Sequence, residues 1–257
     1  MTKLTNTSWN EIADWYHDQL EHDPDSYQRK VILPNLLRVM ELKVGETVLD
    51  LACGQGFFAR QFAQARARVI GADIATELIA LAKRQPAPRG GTSPTYYVAP
   101  ADRVLQMAEA SVDKVVMVLA LQNIENASGV ISECRRVLKS GGQLFIVLNH
   151  PAFRVPKASS WGWDGSTLQY RRIDRYLSED KIKIQMRPGA DPSLRTVTFH
   201  RPLQSYFKML RKSNFCVTRL EEWISHRQSQ AGPRAAAEDR ARKEIPLFLL
   251  LQAIKKN

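Results

Sequence analysis

The stretch Val48–Arg60, VLDLACGQGFFAR, carries the strongest structural signal in this 257-residue chain. An apolar run ends at Asp50, a turn containing Gly54 and Gly56 follows at once, and two phenylalanines open a helical pattern. Glycine lets a backbone bend tightly and approach a ligand without a Cβ in the way. The free N–H groups at the start of the following helix would point at the same ligand. The stretch therefore predicts a strand–turn–helix unit that binds a ligand at the carboxyl end of the strand.

Short apolar runs rich in β-branched residues alternate with helical segments around this unit. Such runs are typical of buried strands, and their alternation with helices predicts an α/β fold with a doubly wound, mostly parallel seven-stranded sheet. The predicted strands are 47–51, 67–73, 95–100, 113–121, 142–150, 216–224 and 245–255. The predicted helices between them are 56–65, 75–84, 127–142 and 202–215.

Changes in periodicity divide the chain into four segments. Residues 1–45 predict an N-terminal helical lid, in which Ser8 and Glu11 have the spacing of a capping box. Residues 151–200 are rich in aromatic and basic side chains, lack a long periodic helix, and predict a cap or hairpin layer inserted after the fifth strand. The ligand-binding core is expected to occupy 46–150, and its C-terminal part 201–257.

The bulk composition excludes several classes of protein. The chain is 44% hydrophobic and 25% charged, which is ordinary for a globular protein with a buried core. It contains no run of eighteen apolar residues and no apolar signal core at the N-terminus, so no membrane span or secretion is expected. Cys53, Cys134 and Cys216 lie far apart and form no CxxC pair. They predict no disulfide framework and no metal site, and they favour the reducing cytoplasm.

The charge is distributed unevenly along the chain. The net charge is +11, yet residues 1–150 hold 16 Lys and Arg and 16 Asp and Glu. The whole positive excess therefore lies in residues 151–257. A one-sided basic field favours an acidic partner, either an anionic small molecule or nucleic acid. A solvated basic face with no partner remains the alternative.

Two cofactors fit the glycine turn at the level of its residues. GQGFFA matches the G-x-G-x-x-G/A pattern of nicotinamide dinucleotide sites, and Asp73 at the end of the next strand suits ribose hydroxyls. Asp50 opposes that assignment, because a pyrophosphate placed at the turn would meet its negative charge. S-adenosylmethionine has no pyrophosphate and carries an ammonium and a sulfonium group, so the carboxylate of Asp50 would be favourable.

The stretch VLDLACGQG resembles the first motif, (D/E)-x-G-x-G-x-G, of the class I S-adenosylmethionine-dependent methyltransferases, with Ala52 in place of the first glycine. Four later segments keep the resemblance, which covers roughly residues 30–150: VIGADIATELIALAKR, VAPADRV, VDKVVMVLALQNIEN and ISECRRVLKSGGQLFIVLNH. The resemblance implies a Rossmann-like fold, S-adenosyl-L-methionine as cofactor and methyl transfer as the activity. It implies that Asp73 binds the ribose and that Ala101 and Asp102 lie near the adenine. The expected cofactor-binding residues are Tyr16, Asp50, Ala52, Cys53, Gly54, Gly56, Asp73, Ile74, Ala101, Asp102 and Leu119.

The methyl acceptor is expected at the carboxyl edge of the sheet and under the insert. His150, directly after the fifth predicted strand, is the candidate general base, since an oxygen acceptor needs a group that removes its proton. The expected acceptor is a small acidic or aromatic metabolite methylated at oxygen. Its expected contacts are Asn149, Arg154, Arg171 and Arg172.

Two further hypotheses remain open. A tRNA or rRNA methyltransferase would use the basic residues on phosphates and would stack bases on Trp161 and Trp163. A module that binds the cofactor without catalysis would show affinity for it but transfer no methyl group. The oligomeric state is not predicted.

Overall fold

The computed structural model describes residues 7–165, 167–186 and 193–256. Within them the chain forms eleven strands and seven α-helices. The strands are β1 (Thr47–Leu51), β2 (Arg68–Asp73), β3 (Thr95–Val98), β4 (Val112–Val118), β5 (Leu138–Asn149), β6 (Ser159–Asp164), β7 (Leu168–Ile173), β8 (Asp180–Gln185), β9 (Arg195–His200), β10 (Phe215–Trp223) and β11 (Phe248–Lys255). The helices are α1 (Ala13–His22), α2 (Leu33–Met40), α3 (Phe57–Gln64), α4 (Thr76–Arg84), α5 (Ala127–Val137), α6 (Leu203–Lys212) and α7 (Ala235–Glu244).

Seven of the strands form one sheet in the order β10-β11-β5-β4-β1-β2-β3. The five strands from β5 to β3 are parallel, and β11 pairs antiparallel with both β5 and β10. The predicted doubly wound, mostly parallel seven-stranded sheet is confirmed. Because the strand order reverses beside β1, the carboxyl ends of β1, β2 and β4 converge at a crevice, the usual ligand position in such sheets.

Helices cover both faces of the sheet and create two apolar layers. Side chains of β1 alternate between them: Leu49 and Leu51 pack with α5 and α6, whereas Val48 packs with α2 and α3. Strands buried on both faces explain why the sequence shows continuous apolar runs rather than polar–apolar alternation. The glycine turn that follows β1 is therefore held between two packed layers.

The predicted helix over 127–142 is too long. Helix α5 ends at Val137, and β5 begins at Leu138. Leu138 has extended dihedral angles and pairs with Val112 of β4, so strand pairing takes over before Gly141 is reached. The glycine pair lies inside the strand and does not end the helix.

The segment 151–200 contains two separate antiparallel hairpins, β6–β7 and β8–β9, in its described part.

At the other end of the chain, a π-helical turn at Gln28–Ile32 leads into α2, whose first turn contains Pro34. No helix in the described parts of the chain combines the length and apolar character needed to cross a bilayer. The boundaries of the four predicted segments remain predictions.

Candidate functional site

A cavity of about 680 Å³ opens at the carboxyl ends of β1, β2 and β4, within the range of roughly 300–1,000 Å³ that holds drug-sized ligands. One wall is the turn after β1, a second is the loop after β4, and the third comes from the N-terminal segment and strand β9. Residues distant in sequence therefore share one site. Its lining residues with polar or charged side chains are Thr7, Ser8, Trp9, Tyr16, Asp50, Cys53, Asp73, Asp102, Asn123, Glu125 and Thr196.

The turn after β1 is held open by left-handed backbone conformations. Ala52, Gly54 and Gly56 have φ values of +58°, +56° and +79°. Ala52 stands where the resembling motif has glycine, and left-handed backbone costs a non-glycine residue on the order of 1–2 kcal/mol. The N–H of Gly54 donates to Asp73 Oδ2 at 2.8 Å, so the turn is tied to the end of β2.

A tyrosine explains the need for glycine at position 56. A Cβ on Gly56 would come within 2.8 Å of Cζ of Tyr96, far closer than side chains approach in proteins. Gly56 also sits at the N-terminus of α3, where its positive φ suits glycine. Gly56 lies behind the turn and does not line the cavity.

Two buried carboxylates dominate the electrostatics of the cavity. Burial, followed by repulsion from Asp73, raises the pKa of Asp50 to about 7, against a backbone hydrogen bond from Ala59 that lowers the pKa. Burial also raises the pKa of Asp73, which the N–H groups of Ala75 and Gly54 oppose. The Oδ2 atom of Asp50 is buried and has no hydrogen-bond partner among the described residues. A cationic group placed against Asp50 would satisfy this atom and restore its charge.

These carboxylates fit S-adenosylmethionine and not a dinucleotide. Asp50 offers an unpartnered carboxylate oxygen for the ammonium or sulfonium group, whereas a pyrophosphate would add negative charge beside two carboxylates. Asp73 lies at the end of β2, where the resemblance implies a ribose contact, and Ala101 and Asp102 follow β3 along the same cavity. Ten of the expected cofactor residues line this one cavity: Tyr16, Asp50, Ala52, Cys53, Gly54, Asp73, Ile74, Ala101, Asp102 and Leu119.

Helix α1 is fastened to the glycine turn by a polar network. Glu21 at the end of α1 accepts hydrogen bonds from Gln55 Nε2 at 3.2 Å and from Arg60. Gln55 is fully buried, and its backbone and side-chain oxygens accept from Arg60 at 2.9 and 3.1 Å. The network positions α1, so that Tyr16 and Leu20 line the cavity. Burial and the two aspartates raise the pKa of Tyr16 to about 12, so its hydroxyl stays protonated at neutral pH.

The acceptor residues expected from the sequence lie elsewhere. His150 is 3% exposed, outside the cavity lining, with Nε2 2.6 Å from Glu222 and Nδ1 accepting from the N–H of Ala152 at 3.2 Å. Both ring nitrogens are engaged, which leaves the ring no free atom with which to take a proton from an acceptor. The four expected acceptor contacts are also outside the lining: Asn149, Arg154, Arg171 and Arg172.

Several cavity residues were missed by sequence reasoning. Ser8 Oγ donates to Thr196 Oγ1 at 3.3 Å, which joins the N-terminal segment to β9. Ser8 was expected to cap a helix, but α1 is preceded by Ile12 and has no side-chain cap. Glu125 follows β4 and is bonded by Lys181 Nζ at 2.9 Å, which ties β8 to the cavity rim. No sequence pattern connects Thr196 with a turn more than 140 residues earlier.

The described residues contain no group of three or more His, Cys, Asp or Glu placed to hold a metal ion.

Charged lining residues are confined to four carboxylates, Asp50, Asp73, Asp102 and Glu125, as far as the described residues go. The cavity is therefore acidic although the chain is strongly basic.

Comparisons with known proteins agree with the fold and with the cofactor. Residues 49–146 match the family described as the methyltransferase domain. A demethylmenaquinone methyltransferase of Tropheryma whipplei is 30% identical over 115 residues, which are 44% of this chain and 46% of that protein. A ubiquinone biosynthesis O-methyltransferase of Sodalis glossinidius is 27% identical over 178 residues, 66% of this chain and 70% of that protein. The structure of an S-adenosylmethionine-dependent methyltransferase from Mesorhizobium loti superposes with a TM-score of 0.67 at 26% identity, over 86% of this chain and 96% of that one. This chain spans about half the length of the first of these relatives.

Proposed function

Because the chain carries a class I S-adenosylmethionine-dependent methyltransferase domain, we propose that it methylates a small, uncharged aromatic molecule at oxygen. The observation that carries the proposal is the continuity of one cavity, from the glycine turn at Gly54 to Glu125 and Thr196. The cofactor supplies an electrophilic methyl group when bound. The relatives named for demethylmenaquinone and for ubiquinone biosynthesis support an acceptor of the quinone class.

The residues divide into a cofactor end and an acceptor end. At the cofactor end, Asp50 holds the cationic amino-acid part, Asp73 the ribose hydroxyls and Asp102 the adenine. The acceptor end comprises the remaining polar lining, principally Ser8, Asn123, Glu125 and Thr196. In methyl transfer the nucleophile must lie in line with the bond that breaks, so much of the rate comes from positioning and from excluding water.

The acceptor is proposed to be uncharged, which departs from the anionic molecule expected from the basic composition. The described lining contains no Lys, Arg or His, and its four carboxylates would repel an anion. Two cations at the acceptor end bond groups of the protein itself: Lys181 Nζ bonds Glu125, and Nη2 of Arg201 donates to the backbone oxygens of Ile124 and Glu125. The excess of basic residues in the C-terminal part of the chain is therefore not found in the described lining of the cavity.

Glu125 is the proposed proton acceptor. Among the described residues it is the one lining carboxylate not assigned to the cofactor, and its side chain is 72% exposed. Its bond to Lys181 holds the carboxylate at the rim, where it can accept a hydrogen bond from an acceptor hydroxyl. His150 is buried against Glu222 and has no role in the proposed mechanism.

The first experiment measures ligand binding by calorimetric titration with S-adenosylhomocysteine and, separately, with NADH. We expect binding of S-adenosylhomocysteine alone, and binding of NADH alone would overturn the cofactor assignment.

The second experiment follows transfer of the radiolabelled methyl group to hydroxylated quinols, hydroxybenzoates, aromatic amines and bulk tRNA. Labelling of uncharged quinols is the expected outcome. Labelling of tRNA alone would contradict the small-molecule proposal, and cofactor binding without labelling of any acceptor would favour a non-catalytic module.

Glu125→Gln should lower kcat and leave the affinity for S-adenosylhomocysteine unchanged. Lys183→Gln, which changes a lysine on the same strand as Lys181 outside the cavity lining, is the matched control.

A further inference from the structure

Hairpin β6–β7 presents arginine and tryptophan side chains together on one face. Trp161 lies opposite Arg171 in the antiparallel register, and residues opposite each other share a face of the ribbon. The guanidinium carbons of Arg171 and Arg154 lie 5.2 and 5.6 Å from the centroid of the Trp161 ring. Arg154 comes from the loop after β5, so two basic groups from different elements meet at one indole.

Arg154 lacks the acceptor that a half-buried guanidinium needs. Its Nε is buried without a hydrogen-bond partner, and within the described residues its side chain forms no hydrogen bond. Burial, and then the neighbouring charge of Arg171, lower the pKa of Arg154. Leaving a buried donor unpaired costs about 1–3 kcal/mol, and more when the group is charged. A non-polar side chain at position 154 would avoid this cost in folding free energy.

Arg171 is satisfied only by neutral groups. Its Nε donates to the backbone oxygen of Phe153 at 2.8 Å and its Nη2 to Ser159 Oγ at 2.6 Å. Two carboxylates of neighbouring elements are engaged elsewhere: Glu222 with His150 and Asp174 with Arg172. Two adjacent positive charges therefore have no bonded counterion within the described residues.

We propose that Arg154 and Arg171 form a binding site for a phosphate group. Guanidinium N–H groups form charge-assisted hydrogen bonds to phosphate oxygens, and Arg171 would use Nη1, since its Nε and Nη2 are already bonded. A doubly charged anion also offsets the repulsion between the two arginines. The group comes either as free inorganic phosphate or as the phosphate of a small monoester, and both use the same contacts.

This site is separate from the methyl-transfer cavity. None of Arg154, Trp161 and Arg171 lines that cavity, whose charged lining in the described residues is acidic. The loop that carries Arg154 does follow β5, at the same edge of the sheet as the cavity. A ligand here is consequently neither the cofactor nor the proposed acceptor, and loss of the site should leave cofactor affinity intact.

The test is calorimetric titration of the full chain with inorganic phosphate and with phenyl phosphate, at a fixed ionic strength made up with chloride. We expect saturable binding of phosphate that Arg154→Gln weakens tenfold or more, the effect of losing about 1.4 kcal/mol or more of charge-assisted hydrogen bonding. Arg172→Gln is the matched control, because this neighbouring arginine is exposed and paired with Asp174. Equal affinity in wild type and Arg154→Gln, or no saturable binding of either probe, would overturn the proposal.

Thermal melting separates a lost site from a damaged fold. Without phosphate, Arg154→Gln should melt at or above the wild-type temperature, since it removes a half-buried charge that has no bonded counterion among the described residues. With phosphate, the melting temperature of wild type should rise more than that of Arg154→Gln. Phosphate raises stability unspecifically by exclusion from protein surfaces, so an equal rise in both proteins contradicts a specific site. If Arg154→Gln melts lower, Arg171→Lys is titrated instead, with the same weakening expected.

The two probes distinguish the source of the phosphate group. Comparable or tighter binding of phenyl phosphate identifies a monoester ligand, and binding of inorganic phosphate alone identifies the free ion. Affinity for S-adenosylhomocysteine is measured in the same Arg154→Gln preparation and should equal that of wild type. A protein that binds phosphate and not S-adenosylhomocysteine would refute the proposed function and leave this site standing.

Discussion

Replacement of Asp50 by asparagine tests the electrostatic basis of cofactor binding. The substitution keeps the shape of the side chain and removes the charge that is expected to face the cationic part of S-adenosylmethionine. The pKa of Asp50 is raised from 3.8 to about 7 by burial and by Asp73. At pH 7 the free protein therefore holds Asp50 about half protonated, and binding of an ammonium group should expel that proton.

The magnitude follows from the same pKa. Roughly a tenth of Asp50 is ionised at pH 6 and roughly nine tenths at pH 8, so affinity for S-adenosylhomocysteine should rise about tenfold across this range. Calorimetry at pH 7 in two buffers of different ionisation enthalpy should show release of about half a proton. In Asp50→Asn both the rise in affinity and the proton release should disappear.

Stability of the free protein provides an independent check with a defined sign. The folded-state pKa of Asp50 lies above its unfolded value, so the folded state binds more protons and stability falls as the pH rises from about 4 to 7. A shift of about three units corresponds to at most about 4 kcal/mol. Asp50→Asn should therefore melt at a higher temperature than wild type at pH 8.

The controls isolate the charge at Asp50. Methylthioadenosine lacks the amino-acid part, so its binding should be independent of pH and release no proton. Asp102→Asn, which removes a different carboxylate from the cavity, should keep the pH dependence for S-adenosylhomocysteine. A flat affinity between pH 6 and 8 in wild type, or an unchanged profile in Asp50→Asn, would refute the assignment of Asp50 to the cation.

Three further substitutions, one of them with a matched control, test the roles of Asp73, Gly56 and His150. Asp73→Asn should weaken S-adenosylhomocysteine binding by about 10- to 100-fold, because it removes the charged acceptor proposed for the ribose; calorimetry with an unchanged Kd would contradict that role. Gly56→Ala should lower the free energy of unfolding by about 2–4 kcal/mol, through left-handed strain and collision with Tyr96. Gly45→Ala, with a φ of +81° and no atom within 4 Å of its added Cβ, should cost only the strain; equal losses in urea unfolding would refute the collision. His150→Ala should reduce stability by about 1–3 kcal/mol and leave methyl transfer intact, whereas normal stability with lost turnover would restore it as a base.

The fold, and the presence of Asp50, Gly54 and Asp73 at one cavity, could be predicted because their signals are local. Asp50, Gly54 and Asp73 belong to a strand–turn–helix unit and the strand after it, in which a few residues fix the backbone. Buried strands also impose apolar runs that are visible in any single sequence. The error at the end of α5 has the same origin, since the pairing of Leu138 with β4 depends on a neighbouring strand.

The proposed acceptor end could not be predicted, because tertiary contacts bring its residues together. Thr196 reaches the cavity through the pairing of β8 with β9 and meets Ser8 from the other end of the chain. His150 looked like a base because it follows a strand at the functional edge, yet Glu222 on β10 engages it. Position along a strand places a residue near the edge of the sheet, but the neighbouring strand determines whether its side chain reaches the ligand.

The net charge of the chain favours an anionic acceptor, whereas the charged residues in the described lining of the cavity are carboxylates. Many basic side chains in the C-terminal part form ion pairs: Arg172 with Asp174, Arg175 with Asp180, and Lys181 with Glu125. Short-range pairing and screening over about 10 Å at 0.1 M salt leave the cavity controlled by its own carboxylates. A basic chain can therefore enclose an acidic site. We propose that its long-range field governs which molecules approach the surface, and that Asp50 and Glu125 govern which of them can bind in the cavity.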